Sequence, residues 1–164
     1  MDRPPRSKKE TLLNKKLITI AFFWYGLLES IISLGGYFFV NVLNGWPNVP
    51  LASSGVVYQK ATTMALASIV FCQIGVVLCA RTEQESMFHV GLTSNPYIVR
   101  GILVEILLIV LLTYVPFLQT FFQTVSLNPV DWIYLVCCPL PIVALDELRK
   151  YFIRRPDRKE KGGN

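Results

Sequence analysis

The sequence has 164 residues, of which 52% are hydrophobic and 16% are charged, and its mean hydropathy is +0.45. This composition is too apolar for a soluble domain of this length and indicates a membrane protein. The formal net charge of +5 does not indicate nucleic-acid binding, because the basic residues lie mainly near the two ends of the chain. They are not interleaved with aromatic residues in one basic surface.

The chain begins with a basic segment, MDRPPRSKKETLLNKK, at residues 1–16. It lacks the apolar core and the small-residue cleavage site of a signal peptide, so we expect a cytoplasmic linker that is retained. Four apolar segments long enough to cross a bilayer as helices follow it, and a basic tail covers 154–164. The predicted spans are residues 17–42, 61–80, 98–118 and 130–153.

These segments predict an all-α membrane protein whose four transmembrane helices form an antiparallel bundle over residues 17–153. Fifteen Lys and Arg residues lie in the two termini and around the connector between the second and third spans, whereas only Lys60 lies near the other two connectors. The positive-inside rule therefore predicts that both termini are cytoplasmic.

The second span carries a stripe of small residues at helical spacing, which predicts a surface where another helix approaches closely. In the fourth span, Pro139 and Pro141 predict a kink, because proline removes backbone donors. The small-residue stripe consists of Ala61, Ala65, Ser68, Cys72, Gly75 and Cys79.

Two glutamates lie inside predicted spans, Glu29 in the first and Glu105 in the third. Burying a charge there costs roughly 2.5–3.5 kcal/mol, so each is a candidate for a cation or proton pathway. A structural role is the alternative, in which a neutral glutamate hydrogen-bonds a neighbouring helix and Gln73 on the second span is a possible partner. Two isolated acids cannot by themselves surround a hard cation with enough oxygens.

A cluster of charges lies near the predicted cytoplasmic end of the fourth span, where a pair of acids is followed by a pair of bases. Salt bridges at the membrane interface are the simplest interpretation of such a cluster. Its members are Asp146, Glu147, Arg149 and Lys150.

No catalytic or metal site is predicted. The four cysteines lie in apolar runs without zinc-type spacing, and the single histidine, His89, has no second ligand near it.

Three stretches resemble the C-terminal membrane region of P-type cation-transporting ATPases: RPPRSKKETLL at 3–13, TSNPYIVRGILVEILLIVLLTYVPFLQTFF at 93–122 and LDELRKYFIRRP at 145–156. The resemblance implies the seventh to tenth membrane helices of such a pump, similar to the sodium/potassium or calcium branches. It further implies that Gln73 and Glu105, the latter eleven residues before Pro116, contribute to a cation or proton pathway. Val76 stands where sodium/potassium pumps have an acid.

The Asp-Lys-Thr-Gly-Thr phosphorylation motif of that family does not occur in this sequence. We therefore expect that the chain hydrolyses no ATP alone and that ATP and Mg²⁺ belong to the remainder of the pump, its natural partner beside the lipid bilayer. Met1 directly before the linker suggests a separate C-terminal piece, and we expect it in the plasma membrane.

Two other functions fit the same residues. One is a free-standing protein of four spans that scaffolds or regulates a membrane partner, which the small-residue stripes would favour. The other is a small oligomeric proton-coupled exporter that uses Glu29 as its intramembrane acid.

Overall fold

The computed structural model describes residues 18–80 and 95–161, with side chains as far as residue 152. All secondary structure in these ranges is helical, and four helices are long and apolar enough to cross a membrane. The predicted all-α fold with four spans is confirmed. The linker at 1–16, the first resembling stretch and His89 lie outside the described residues, as do the last three residues of the tail.

Helix α1 spans Ile20–Leu43. Its first six residues, Ile20–Tyr25, form a π-helical segment, and α-helical geometry begins at Gly26. The sequence pattern did not predict this wider turn. The helix ends where the Asn44 side chain donates a hydrogen bond to the Val40 carbonyl at 2.7 Å and Gly45 takes a positive φ of 101°. The amide thus satisfies one of the carbonyls that a helix end leaves free.

Helix α2 spans Gly55–Ala80 and begins six residues before the predicted second span. Gly55, with φ of 81°, sets the chain direction at its start. The polar residues among these six positions are typical of a loop, so the sequence did not predict a helix there. In the structure they contact other parts of the bundle. Gln59 hydrogen-bonds Gln123 at 3.1 Å, and Lys60 forms an ion pair with Asp131.

Helix α3 spans Pro96–Tyr114 and is capped by Asn95, whose side chain accepts a hydrogen bond from the Tyr97 amide at 3.0 Å. It ends four residues before the predicted limit of the third span. Val115 is extended, with φ −86° and ψ 117°, because the residue before a proline is disfavoured in the helical region. A short helix α4, Pro116–Phe122, follows.

The fourth span is divided into α5, Pro129–Cys137, and α6, Pro139–Lys161. The interruption falls at Cys138, beside the prolines for which a kink was predicted. Helix α6 continues past residue 153, so most of the predicted tail is helical in its backbone.

Helix α2 lies at the centre and contacts α1, α3, α5 and α6. Its sealed face, which we define as Ala61, Ala65, Ser68, Cys72, Gly75 and Cys79, lies against α1 and α6. A Cβ on Gly36 of α1 would come within 2.5 Å of the Ser68 hydroxyl, and one on Gly75 within 3.1 Å of the Pro139 carbonyl oxygen. Such close backbone approach is the usual means by which helices associate in lipid.

Candidate functional site

The small-residue stripe of the second span forms the sealed face of α2. Five of its six members are buried, and Ala65 is half-buried. The Ala65 carbonyl nevertheless contacts α1, because it accepts a hydrogen bond from the Ser33 hydroxyl at 3.0 Å. The sealed face therefore joins helices by close approach and by hydrogen bonds to the backbone.

Asp146, on α6, lies at the Cys79 end of this face and is fully buried. Its Oδ1 accepts hydrogen bonds from the Tyr25 hydroxyl at 2.8 Å and from Arg149 Nε and Nη2 at 2.9 and 2.7 Å. Its Oδ2 lies 2.7 Å from Lys150 Nζ. We call Tyr25, Asp146, Arg149 and Lys150 the buried tetrad.

The buried tetrad connects three helices. Tyr25 belongs to α1, and Lys150 Nζ also donates to the Cys79 carbonyl of α2 at 3.0 Å. The sequence predicted salt bridges at the membrane interface here. In the structure, Asp146 pairs with Arg149 and Lys150, and the side chains of Asp146 and Lys150 are 0% exposed and that of Arg149 is 16% exposed. Glu147 is half-buried. Because two cations and a hydroxyl surround one carboxylate, the ion pair is internal to the fold.

A second buried carboxylate, Asp131 of α5, lies at the other end of the bundle. Its Oδ2 lies 2.8 Å from Lys60 Nζ and accepts a hydrogen bond from the Asn128 amide at 2.7 Å. Sequence reasoning missed both Asp131 and Tyr25. Asp131 had a signal, because an acid three residues after Asn128 at a helix start is typical of a capping arrangement.

Another side of α2 is exposed, and we define this open face as Leu66, Ile69, Gln73 and Val77. Gln73 thus points away from the bundle. No hydrogen bond within the described residues joins it to Glu105 or to Glu29, so the predicted pairing of Gln73 with Glu105 is not observed.

Glu105 is half-buried on the side of α3 that also carries the buried residues Ile109 and Thr113. Its Oε2 is buried and has no hydrogen-bond partner in the described part of the chain. A carboxyl group in this position requires a proton or a donor from outside these residues.

Glu29 lies at the edge of a groove of about 390 Å³ between α1 and α2. The side chain is half-buried and makes no hydrogen bond or ion pair among the described residues. The groove is lined by Glu29, Ser30, Ser33, Leu34, Tyr37, Ala65 and Ile69.

The described residues contain no group of three or more His, Cys, Asp and Glu side chains that could hold a metal ion. The structure therefore presents two buried carboxylates with cationic partners, Asp146 and Asp131. Two further acids, Glu29 and Glu105, have no hydrogen-bond donor among the described residues. The structure does not gather Glu29, Gln73 and Glu105 into one hydrogen-bonded site.

The family model described as "Cation transporting ATPase, C-terminus" matches residues 1–152. The chain is 29% identical over 154 residues to "Calcium-transporting ATPase 1" of Yarrowia lipolytica, which covers 94% of this chain and 15% of that protein. It is 31% identical over 150 residues to "Calcium-transporting ATPase type 2C member 2" of Rattus norvegicus, covering 92% of this chain and 15% of that protein.

Human "Calcium-transporting ATPase type 2C member 1" is 30% identical over 159 residues, or 97% of this chain and 16% of that protein. The chain thus spans about 15% of the length of the curated relatives that it matches. The family match includes all four membrane-crossing helices, which makes this a multi-pass membrane protein. The chain belongs to the C-terminal region family of the cation-transporting ATPases.

Proposed function

We propose that the chain acts as the C-terminal membrane support subdomain of a cation-transporting P-type ATPase and is not a pump by itself. The observation that carries the proposal is the family match over residues 1–152, which includes every span. The printed names of the relatives favour Ca²⁺ as the transported ion. The remainder of the pump, with the lipid bilayer, is the partner.

The internal bonding of the bundle supports a buttressing role. The sealed face of α2 is held by close packing, and the buried tetrad fixes α1, α2 and α6 to one another at one end. At the other end, the Lys60–Asp131 ion pair joins α2 to α5. A bundle tied at both ends can hold neighbouring helices in position while they move during transport.

Phosphoryl transfer requires a nucleophile, a Mg²⁺ site and nucleotide contacts, and the chain carries no Asp-Lys-Thr-Gly-Thr motif. In this proposal the remainder of the pump binds ATP and Mg²⁺ and forms the phosphoenzyme. Gln73 and Glu105 contribute to the cation or proton pathway when that remainder is in place. Their lack of donors within the described bundle supports a role that is completed by other helices.

An even number of spans favours both termini on one side of the membrane, and the distribution of Lys and Arg favours the cytoplasm. We propose the plasma membrane as the location. Protease protection of terminal tags in intact cells, together with surface biotinylation, tests both assignments.

The decisive experiment replaces the matched C-terminal region of the Yarrowia lipolytica calcium-transporting ATPase with this chain. The pump from which that region is deleted should lack Ca²⁺-dependent phosphoenzyme formation and Ca²⁺ uptake. We expect the pump that carries this chain instead to regain both. A properly inserted chimera that forms no phosphoenzyme would argue against the proposal. The free-standing scaffold would then be favoured if the chain instead co-purifies with a membrane protein unrelated to pumps.

A further inference from the structure

The groove between α1 and α2 contains one polar group that has no hydrogen-bond or ion-pair partner among the described residues. The Ser30 hydroxyl donates to the Gly26 carbonyl at 2.7 Å, and the Ser33 hydroxyl donates to the Ala65 carbonyl at 3.0 Å. The Tyr37 hydroxyl faces the Ala52 carbonyl at 3.5 Å. The Glu29 carboxyl group alone has no hydrogen-bond or ion-pair partner among the described residues that line the groove.

Glu29 lies inside the first membrane span, Ile20–Leu43, of which it is the tenth residue. Ser33 contacts α2 at Ala65 and Gly36 contacts it at Ser68, and Glu29 lies one turn before Ser33. Because α1 and α2 are antiparallel, Glu29 lies level with the turns that follow Ala65, where the exposed residues Ile69 and Gln73 are found. A carboxyl group that faces lipid at this level is costly, because hydrocarbon offers it no hydrogen bond.

A carboxyl group at this depth is stabilised by a hydrogen-bond donor or a cation on another helix. The groove is large enough for one long side chain, and its apolar members, Leu34, Ala65 and Ile69, suit the methylene stem of such a residue. Acyl chains would fill the apolar part but would leave the carboxyl group without a partner.

We propose that the groove at Glu29 receives a donor side chain, such as Lys, Arg, Asn or Gln, from a transmembrane helix of the remainder of the pump. This inference rests on the proposed function and adds the partner surface and its chemistry. The docked helix covers the open face of α2, so that Gln73 also leaves contact with lipid. Glu29 acts here as a docking residue and does not need to bind the transported ion.

The test places a leucine-sized diazirine amino acid at Leu34, within the groove, in the full chain in its native membranes. A second probe at Leu103, an exposed position on α3, is the control. After illumination, mass spectrometry identifies the captured peptide. We expect the Leu34 probe to capture an apolar segment that carries a donor residue and belongs to a polypeptide with the Asp-Lys-Thr-Gly-Thr motif.

The Glu29→Leu substitution should lower the yield of this adduct roughly threefold to tenfold, the range expected for one interhelical hydrogen bond in a membrane. Glu29→Gln keeps an acceptor and should retain most of the yield, while the Leu103 adducts should not change. Capture of lipid or of a second copy of this chain at Leu34 overturns the inference, as does a yield that is insensitive to Glu29→Leu.

The two proposals fail in different ways. If the Leu34 probe captures no pump helix although the pump that carries this chain forms a phosphoenzyme, the docking groove is wrong and the proposed function stands. If no phosphoenzyme forms and no pump peptide is captured at either probe position, both are wrong.

Discussion

The acids beside the two faces of α2 differ in whether they have hydrogen-bond and ion-pair partners. At the end of the sealed face, Asp146 is fully buried and is contacted by Tyr25, Arg149 and Lys150. Beside the open face, Glu29 lies in a groove without a donor among the described residues. A buried ion is tolerated only when it is paired. Asp146 is therefore stabilised by partners within the chain, whereas in our proposal Glu29 is stabilised by a partner outside it.

Because of this difference, we expect substitutions of the paired acid and of the unpaired acid to have free-energy effects of opposite sign in the isolated chain. Removing an acid that the fold satisfies leaves buried cations without a partner. Removing an acid that has no partner in the fold removes the free-energy cost of placing an unpaired carboxyl group in the membrane. Substitutions at Asp146, Glu29 and Tyr25 test this contrast, and a substitution at Gly75 tests the packing of the sealed face.

The largest expected effect is that of Asp146→Ala. It leaves Lys150, which is 0% exposed, without its carboxylate, and we expect a loss of about 3–5 kcal/mol in the free energy of unfolding. Titration of the purified chain from mild detergent into denaturing detergent, followed by circular dichroism, measures this loss. The double variant Asp146→Leu with Lys150→Met is the control and should recover much of it, because Arg149 is partly exposed and can reach water. Equal losses in both would contradict an internal ion pair.

Glu29→Leu should have the opposite sign. Membrane insertion of the isolated α1 segment should become more favourable by about 2–3 kcal/mol, because a carboxyl group near mid-span is replaced by an apolar side chain. A glycosylation-based insertion assay reports this change. Ser30→Leu is the matched control and should change insertion less, since its hydroxyl already bonds the Gly26 carbonyl. Unchanged insertion would mean that Glu29 is satisfied within α1 itself.

Gly75→Leu tests the sealed face by steric means. A Cβ added at this position would lie 3.1 Å from the Pro139 carbonyl oxygen, so a larger side chain must separate α2 from α6. We expect the free energy of unfolding to fall by about 1–3 kcal/mol. Gly101→Leu is the control, because a Cβ there meets no atom within 4 Å. Because leucine has a higher helix propensity than glycine, the control should lose no stability, and similar losses at both positions would contradict close packing at Gly75 as the cause.

Tyr25→Phe should have the smallest effect. It removes one hydrogen bond to Asp146 but leaves both cations in place, so we expect a loss of about 1 kcal/mol in the free energy of unfolding. Tyr97→Phe, at a side chain that is 75% exposed, serves as the control and should have no measurable effect. Combined with Asp146→Ala, the Tyr25→Phe change should add little, because the two residues share one interaction.

The sequence predicted the fold well because length and hydropathy decide which segments cross a bilayer. It missed the limits of two spans for identifiable reasons. The first six residues of α2 include Lys60, which is typical of a loop until its partner Asp131 is known. The third span ends at Tyr114 because Val115 precedes a proline, a local constraint that a hydropathy window does not register.

The candidate site was less predictable. Spacing correctly grouped the small residues of α2, because helical periodicity places them on one side whatever the neighbours are. Spacing could not pair Gln73 with Glu105, since such a pairing depends on how α2 and α3 are rotated against each other. It also gave no indication that Tyr25 contacts Asp146, which lies 121 residues away.

The sequence by itself determined that this chain crosses the membrane four times as helices, because hydrocarbon allows only spans that satisfy their own backbone hydrogen bonds. The tertiary structure alone decided which intramembrane acid is neutralised within the chain. That outcome depends on donors from α1 and α6 meeting at one point, and only the packing of the helices brings them together.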